Sequence, residues 1–267
     1  MSVLEFSRQD NIATLVMSRP GVKNAYNSEM RLAMLQALDE IRRDPQIRAV
    51  ILTGAGEDFC AGGDVGSMAS MDYSTAQLRT RMEANHRVVA ELVALPCPVI
   101  AAVDGVAAGA GFSLALAADF TLASERARFS MAFARIGAVP DMGATYILPR
   151  LVGLQKAREL IYSARELNAA QALEMGLLLE VVADGGLHAR ADELARSLSN
   201  LSPAAFAMTK RLLAQSLNND WSSQLNDEAW AQAIAMSGDY FKDATARFMR
   251  KEPLPYRWPR PARSEQP

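Results

Sequence analysis

Two short glycine-rich stretches and one aspartate carry the chemistry this sequence can offer. Ala61-Gly62-Gly63-Asp64 and Gly109-Ala110-Gly111 both read as turns with little side-chain bulk over the backbone, and Asp141 follows Pro140 in IGAVPDMG. Gly109-Ala110-Gly111 precedes a helix of almost wholly small residues, Ser113 to Ala118, and a helix start leaves its first N–H groups without intrahelical partners. One such start serves close packing of helix on sheet as well as it serves an anion. Two N–H donors from separate loops are what a thioester carbonyl requires when it becomes an enolate. Asp141 serves equally as a turn-former or helix cap and as an acid/base.

These residues need a scaffold that ends strands at loops. Ile12, Thr14 and Val16 alternate with their neighbours as in a strand, ended by Arg19-Pro20-Gly21. Asn27 or Ser28 then caps a helix in which Met30, Met34, Leu38 and Ile41 recur at helical spacing until Asp44-Pro45. Ala49 to Leu52 is a short apolar run suited to a strand buried on both faces, and the turn-rich stretch from Glu57 to Asp64 follows at its carboxyl end, where open α/β sheets place ligands. Val65 to about Tyr73 has no clear period and reads as a mobile flap. Gln77 to Leu95 reads as a helix and Val99 to Val103 as a second buried strand. Further on, helices are expected at 154–163, 168–175 and 187–198, with a strand at 177–182. From Pro203 to about Lys251 no strand-like run remains, so the chain is expected to divide into a core domain, 1–200, and a helical domain, 201–267, ending in a proline-rich, extended tail. Trp221, Leu225, Trp230 and Ile234 need something to pack against, and partner subunits are one candidate.

Composition narrows the function classes. The 267 residues are 50% hydrophobic and 22% charged, enough for one large core or a core plus a smaller helical domain. A net charge of -2 with interspersed signs argues against nucleic acid as a partner. No apolar run reaches membrane-spanning length, and MSVLEFSRQD lacks a basic-then-apolar signal pattern, so the expected location is cytoplasmic. Cys60 and Cys97 have no CxxC partner, the histidines number only two, and no dinucleotide fingerprint is present; neither a metal nor a redox cofactor is expected.

The strings SRPGVKNAYNSEM, AVILTGAGEDFCAGGD, the run from PCPVIAAVDG through GAVPDMGATYILPRLVG, and RFMRKEP together resemble the crotonase superfamily, the enoyl-CoA hydratase/isomerase family. The resemblance spans nearly the whole chain. It implies an α/β fold, a crotonase-like spiral of ββα units with a C-terminal helical oligomerisation domain, assembled as a homotrimer or a dimer of trimers. It implies an acyl-CoA thioester substrate, with coenzyme A entering only as part of that substrate. It implies, further, an oxyanion hole made from the N–H groups of Ala61 and Ala110.

Two positions depart from the family pattern. The glutamates that hold water in typical hydratases match Ser113 and Phe133 here, and neither residue is a general base at neutral pH. The sequence looks most like the phenylacetate-pathway branch of ring-epoxide and enoyl-CoA isomerases, in which the aspartate matching Asp141 shuttles a proton between carbons. Ser113 and Phe133 would then make the pocket drier. Three other readings stay open. An aryl-CoA dehalogenase branch uses the matching aspartate as a nucleophile, with a helix histidine matching His86. An atypical hydratase is the second, and a scaffold that binds acyl-CoA without turnover the third. A serine-hydrolase elbow at Gly111-Phe112-Ser113-Leu114-Ala115, with Asp184 and His188 following, fails on Ala115 and on the helical setting of Ser113.

For CoA itself, the resemblance points to Lys23, to the backbone of Ala61, Gly62, Gly63 and Asp64, and to Phe248 and Lys251, which a neighbouring subunit could supply. Lysines suit CoA phosphates as point charges.

Overall fold

The computed structural model describes residues 2–66 and 73–259. The chain opens with a hairpin, β1 (Leu4–Gln9) antiparallel to β2 (Ile12–Met17). Only the second of these strands is visible in the sequence pattern, because β1 buries a single residue, Leu4, and its polar side faces outward. Helix α1 (Ser28–Arg43) starts where expected: the Asn27 side chain accepts the Met30 N–H, and Met30, Met34, Leu38 and Ile41 are buried.

The chain then repeats one unit, a strand in a large sheet, a short extended piece in a small one, and a helix. In the first pass β3 (Ala49–Gly54) leads to a lone bridge between Cys60 and Ala107 and then to α2 (Thr75–Val93), which begins with a Ser74/Gln77 capping box. In the second, β4 (Val99–Val103) and β5 (Val106–Ala108) lead into α3 (Ala110–Leu116). In the third, β6 (Phe120–Ser124) and β7 (Arg128–Ser130) lead into α4 (Ala144–Ser163). Then come β8 (Leu167–Asn168), α5 (Ala169–Glu174), β9 (Glu180–Val182) and α6 (Leu187–Leu198).

The large sheet has the order β1-β2-β3-β4-β6-β9, parallel except at the β1/β2 edge, and the small sheet runs β5-β7-β8. Helix α6 covers one face of the large sheet, packing Leu187, Leu194 and Leu198 on Ile12, Ile51, Ile100 and Leu122. The other face builds the main core with α1, α2 and α3, including a tilted Phe112–Phe129 ring pair 5.2 Å apart. Phe129 therefore belongs to a strand, where the sequence suggests only a link.

Several boundaries differ from expectation. Helix α3 begins at Ala110, three residues before the expected start, because Gly109 at φ +50° makes the turn by itself. Helix α4 joins two segments across Gly153 (φ +76°, ψ 158°) and also holds Pro149. The sequence pattern catches only the second segment, since proline and glycine both read as breakers. The strand expected at 177–182 shortens to β9, and the flap expected at Val65 to Tyr73 lies, apart from its ends, outside the described residues.

From Pro203 to Met249 the chain is built of helices, as expected: α7 (Pro203–Gln215), α8 (Trp221–Ser237) and α9 (Asp239–Met249). None of these helices has a buried residue, and Trp221 and Trp230 are 78% and 68% exposed. Lys210 ties α7 to the core by donating to Asp119 Oδ2 (2.7 Å), a carboxylate that also accepts the Val99 N–H. The tail returns to the core, with Trp258 edge-on to Phe120 at 5.5 Å and Ser197 Oγ donating to the Arg257 carbonyl. Among the described residues no helix is long and apolar enough to cross a membrane.

Candidate active site

The two glycine-rich stretches meet. Cys60 exchanges backbone hydrogen bonds with the β5 strand, its N–H donating to Val106 and its carbonyl accepting from Ala108. A β-carbon at Gly111 would lie 2.1 Å from the Cys60 carbonyl oxygen, and one at Gly62 (φ +104°) 2.9 Å from the Ala108 carbonyl. Only glycine permits that approach. A third segment locks the first loop. Buried Asn24 donates to the carbonyls of Ala55 and Asp58, the Tyr26 N–H donates to Gly62 (2.7 Å), and the Tyr26 carbonyl accepts from Asp64 (2.9 Å).

That pairing corrects one expectation. The Ala61 N–H donates to the Lys23 carbonyl at 2.9 Å and is not available to a ligand. Gly63 is bridged to Tyr26 in the parallel sense, so Gly62 and Asp64 make the bonds and the N–H of Gly63 points away from them. Among the described residues the N–H groups of Gly63 and Ala110 find no acceptor, and both residues line one cavity of about 450 Å³. Ala110 is the first residue of α3, where the N–H has no intrahelical partner.

Asp141 lines the same cavity and is its sole carboxylate among the described residues. It caps nothing: α4 begins after Gly143 with no side-chain cap, and Asp141 Oδ1 is buried without a hydrogen-bond partner. Met142 (φ +53°) and Gly143 (φ +82°) turn the backbone from the aspartate into α4. Burial pushes the Asp141 carboxyl above the usual carboxylate range, and the charge of His86 opposes that shift. The arrangement is a carboxyl of raised proton affinity beside two free N–H donors. Chemically, it can remove a proton next to a carbonyl whose oxygen those donors hold.

The remaining expected residues fall at different distances from this centre. Phe133, in a short 3₁₀ turn over Ala132–Ile136, lines the cavity against Gly109. Ser113 does not line it: it is fully buried in α3, and its Oγ donates back to the Gly109 carbonyl. Exposed Asp184 and His188 do not line it either, so no serine triad assembles. His86 sits exposed on α2, outside the cavity wall, although its charge reaches Asp141. Lys23, with φ +50° and its Nζ 3.5 Å from Asp58, stands outside the cavity, as do exposed Phe248 and Lys251 after it. Asp64 pairs with Arg19 at 2.9 Å and organises its loop. Sequence reasoning missed Tyr26 as a cavity residue. The signal for Tyr26 is a phenol at a position otherwise suited to a buried apolar side chain.

A family model described as enoyl-CoA hydratase/isomerase matches residues 7–258. The chain is 36% identical to the 1,2-epoxyphenylacetyl-CoA isomerase of Escherichia coli (strain K12) over 248 residues, covering 92% of this chain and 95% of that protein. It is 29% identical to 4-chlorobenzoyl coenzyme A dehalogenase-2 of Arthrobacter sp, covering 91% and 89%. Among solved structures, an enoyl-CoA hydratase/isomerase from Cupriavidus metallidurans CH34 superposes with a TM-score of 0.94 at 41% identity, covering 98% of this chain and 99% of that one.

Proposed function

This chain belongs to the enoyl-CoA hydratase/isomerase family, and we propose that within it the protein isomerises an enoyl-CoA, or a related ring-containing CoA ester, by a proton shuttle on Asp141. One observation carries the reading. Among the described residues the cavity holds one carboxylate, buried and unbonded at Oδ1, where two-glutamate hydration needs two.

The thioester carbonyl oxygen accepts from the N–H groups of Gly63 and Ala110, which favour the enolate over the neutral ester. Ionised Asp141 takes a proton from one carbon and, now neutral, returns it to another. The proton is conserved, so the reaction consumes no cofactor. Phe133, Met82 and Ile136 give the acyl end an apolar wall, which disfavours an ordered water as competing nucleophile. Lys23, Phe248 and Lys251 hold the CoA moiety once chains assemble into a trimer or a dimer of trimers, with the exposed apolar side of α7 to α9 as the contact.

The test is turnover of a panel of enoyl-, aryl- and phenylacetyl-type CoA esters in deuterated water. A shuttle gives double-bond migration in which the substrate's own hydrogen is carried to the new carbon, deuterium entering only as far as protonated Asp141 exchanges with solvent, and Asp141→Asn abolishes the migration. An Asp141→Asn protein with full isomerase activity would refute the reading. The likeness to the dehalogenase, together with the reach of the His86 charge to Asp141, supports a second reading, in which Asp141 attacks an aryl-CoA. Single turnover in ¹⁸O water separates the two: label enters the Asp141 carboxyl only by the covalent route.

A further inference from the structure

The proton shuttle does not use Tyr26. Its side chain is 3% exposed and lines the same cavity as Asp141, yet its hydroxyl is buried with no hydrogen-bond partner. A phenylalanine would fill the space without that cost, because a buried hydroxyl left unbonded gives up the hydrogen bonds it made to water. Among the described residues three buried side-chain polar atoms lack partners, and two of them, Tyr26 Oη and Asp141 Oδ1, belong to this one cavity. One is a donor, and the other is an acceptor once the carboxyl ionises. The two groups also feel each other electrostatically, since the Asp141 charge raises the proton affinity of Tyr26.

We propose that Tyr26 is a positioning residue for Asp141: when the carboxyl ionises it turns to accept the Tyr26 O–H, which holds one rotamer and steadies its charge until the proton returns. The inference rests on the reading of Asp141 as the base. A terminal carboxyl torsion is broad, so the turn leaves the backbone in place. A hydrogen bond to an ionised acceptor is stronger than one to a neutral acid, so the contact tightens in the state that is about to take a proton.

The surroundings fit a neutral donor. Burial pushes the Tyr26 phenol well up, with Cys60 acting in the same direction and Arg31 of α1 against it, so Tyr26 keeps its proton at working pH. The Arg31 guanidinium is held by Asn85 Oδ1 at 3.1 Å, and Arg135, another cavity residue, donates to the Ala164 carbonyl at 2.6 Å. His86 acts on Asp141 from α2, and Arg81 of α2 lines the cavity as well.

The test is Tyr26→Phe beside Asp141→Asn, with three readouts. The Asp141 carboxyl band, isolated as the infrared difference between wild type and Asp141→Asn, is followed against pH without substrate. The pH dependence of kcat and KM is followed for isomerisation, and the melting temperature is recorded. Tyr26→Phe is expected to move the carboxyl titration and the acid limb of kcat up by about one pH unit. It lowers kcat about tenfold with KM within twofold, and below the carboxyl midpoint, where the Tyr26 hydroxyl is unbonded, it melts no lower than wild type. A merely structural tyrosine would lower the melting temperature and leave both pH profiles alone. An unmoved carboxyl band in Tyr26→Phe overturns the proposal even if Asp141→Asn is inactive. A fully active Asp141→Asn removes the base reading instead, while the infrared band still reports the hydrogen bond.

Discussion

A β-carbon on Gly111 would stand 2.1 Å from the carbonyl oxygen of Cys60. The helix that bears one proposed oxyanion donor and the loop that bears the other are thus in backbone contact, and their spacing is set by the absence of one methyl group. Gly111→Ala must push them apart, so a loss of about 3 kcal/mol in stability is expected, with loss of activity even where the protein stays folded. Gly137→Ala is the control. Its φ is +68° with open space around it, and the expected cost is about 1 kcal/mol of backbone strain. Chemical denaturation of the two variants checks the contrast.

The donor assignment separates Ala110 from Ala61. Proline is tolerated at the first position of a helix and has no N–H, so Ala110→Pro should keep α3 while removing a donor. The expected result is a fall of about 10²- to 10³-fold in kcat with a folded protein. Ala61→Pro removes the bond to Lys23 instead and should lower the melting temperature. Equal kcat losses with no difference in melting would return the donor role to Ala61.

Asp141 links activity, stability and pH. The base must be ionised, so kcat should fall as pH drops through a midpoint above the ordinary carboxylate value of about 4. The His86 charge favours ionisation, so His86→Ala should move that midpoint higher. For stability, a carboxyl whose folded pKa exceeds its unfolded value stabilises the fold fully below the unfolded pKa, and that stability is lost as pH rises through the folded pKa. Asp141→Asn should therefore melt higher than wild type at neutral pH, by about 1 kcal/mol, with the gap closing below about pH 4. Calorimetry across that range reads the gap.

The helical C-terminal region predicts self-association. Trp221, Leu213, Trp230 and Phe248 are each more than two-thirds exposed in the single chain, large apolar side chains left in solvent on α7, α8 and α9. Light scattering should report a mass at least about three times the 29.0 kDa of one chain. Trp221→Glu with Trp230→Glu should reduce it to one chain and raise KM for the CoA ester, if Phe248 and Lys251 act across the contact. A monomeric wild type with unchanged affinity would overturn both statements.

Much of the scaffold is legible along the chain, because helix α1, the buried strands β3 and β4 and helix α6 each carry their own period of apolar residues and their own stops. The short strands β5 and β7 are not, since three residues hold no period and are strands only through their pairing, β5 with β7 and β7 with β8. The first half of α4 hides behind Pro149 and Gly153, which keep helical neighbours here because the segment packs on the core through Ala144 and Leu148.

From its residues alone the chain shows its two glycine-rich loops, Asp141 after Pro140, Ser113 and Phe133 in the same stretch, and motifs that resemble one family, the family whose model it matches. Those are matters of residue type and local order. Which N–H stays free is decided elsewhere, by Tyr26 pairing across Gly62 and Asp64 and by the Lys23 carbonyl capturing Ala61. That Tyr26 and Asp141, 115 positions later in the numbering, line one cavity is likewise a property of the fold. Hydrogen-bond satisfaction is a count over neighbours in space, and no pattern along the sequence encodes which groups will be left over.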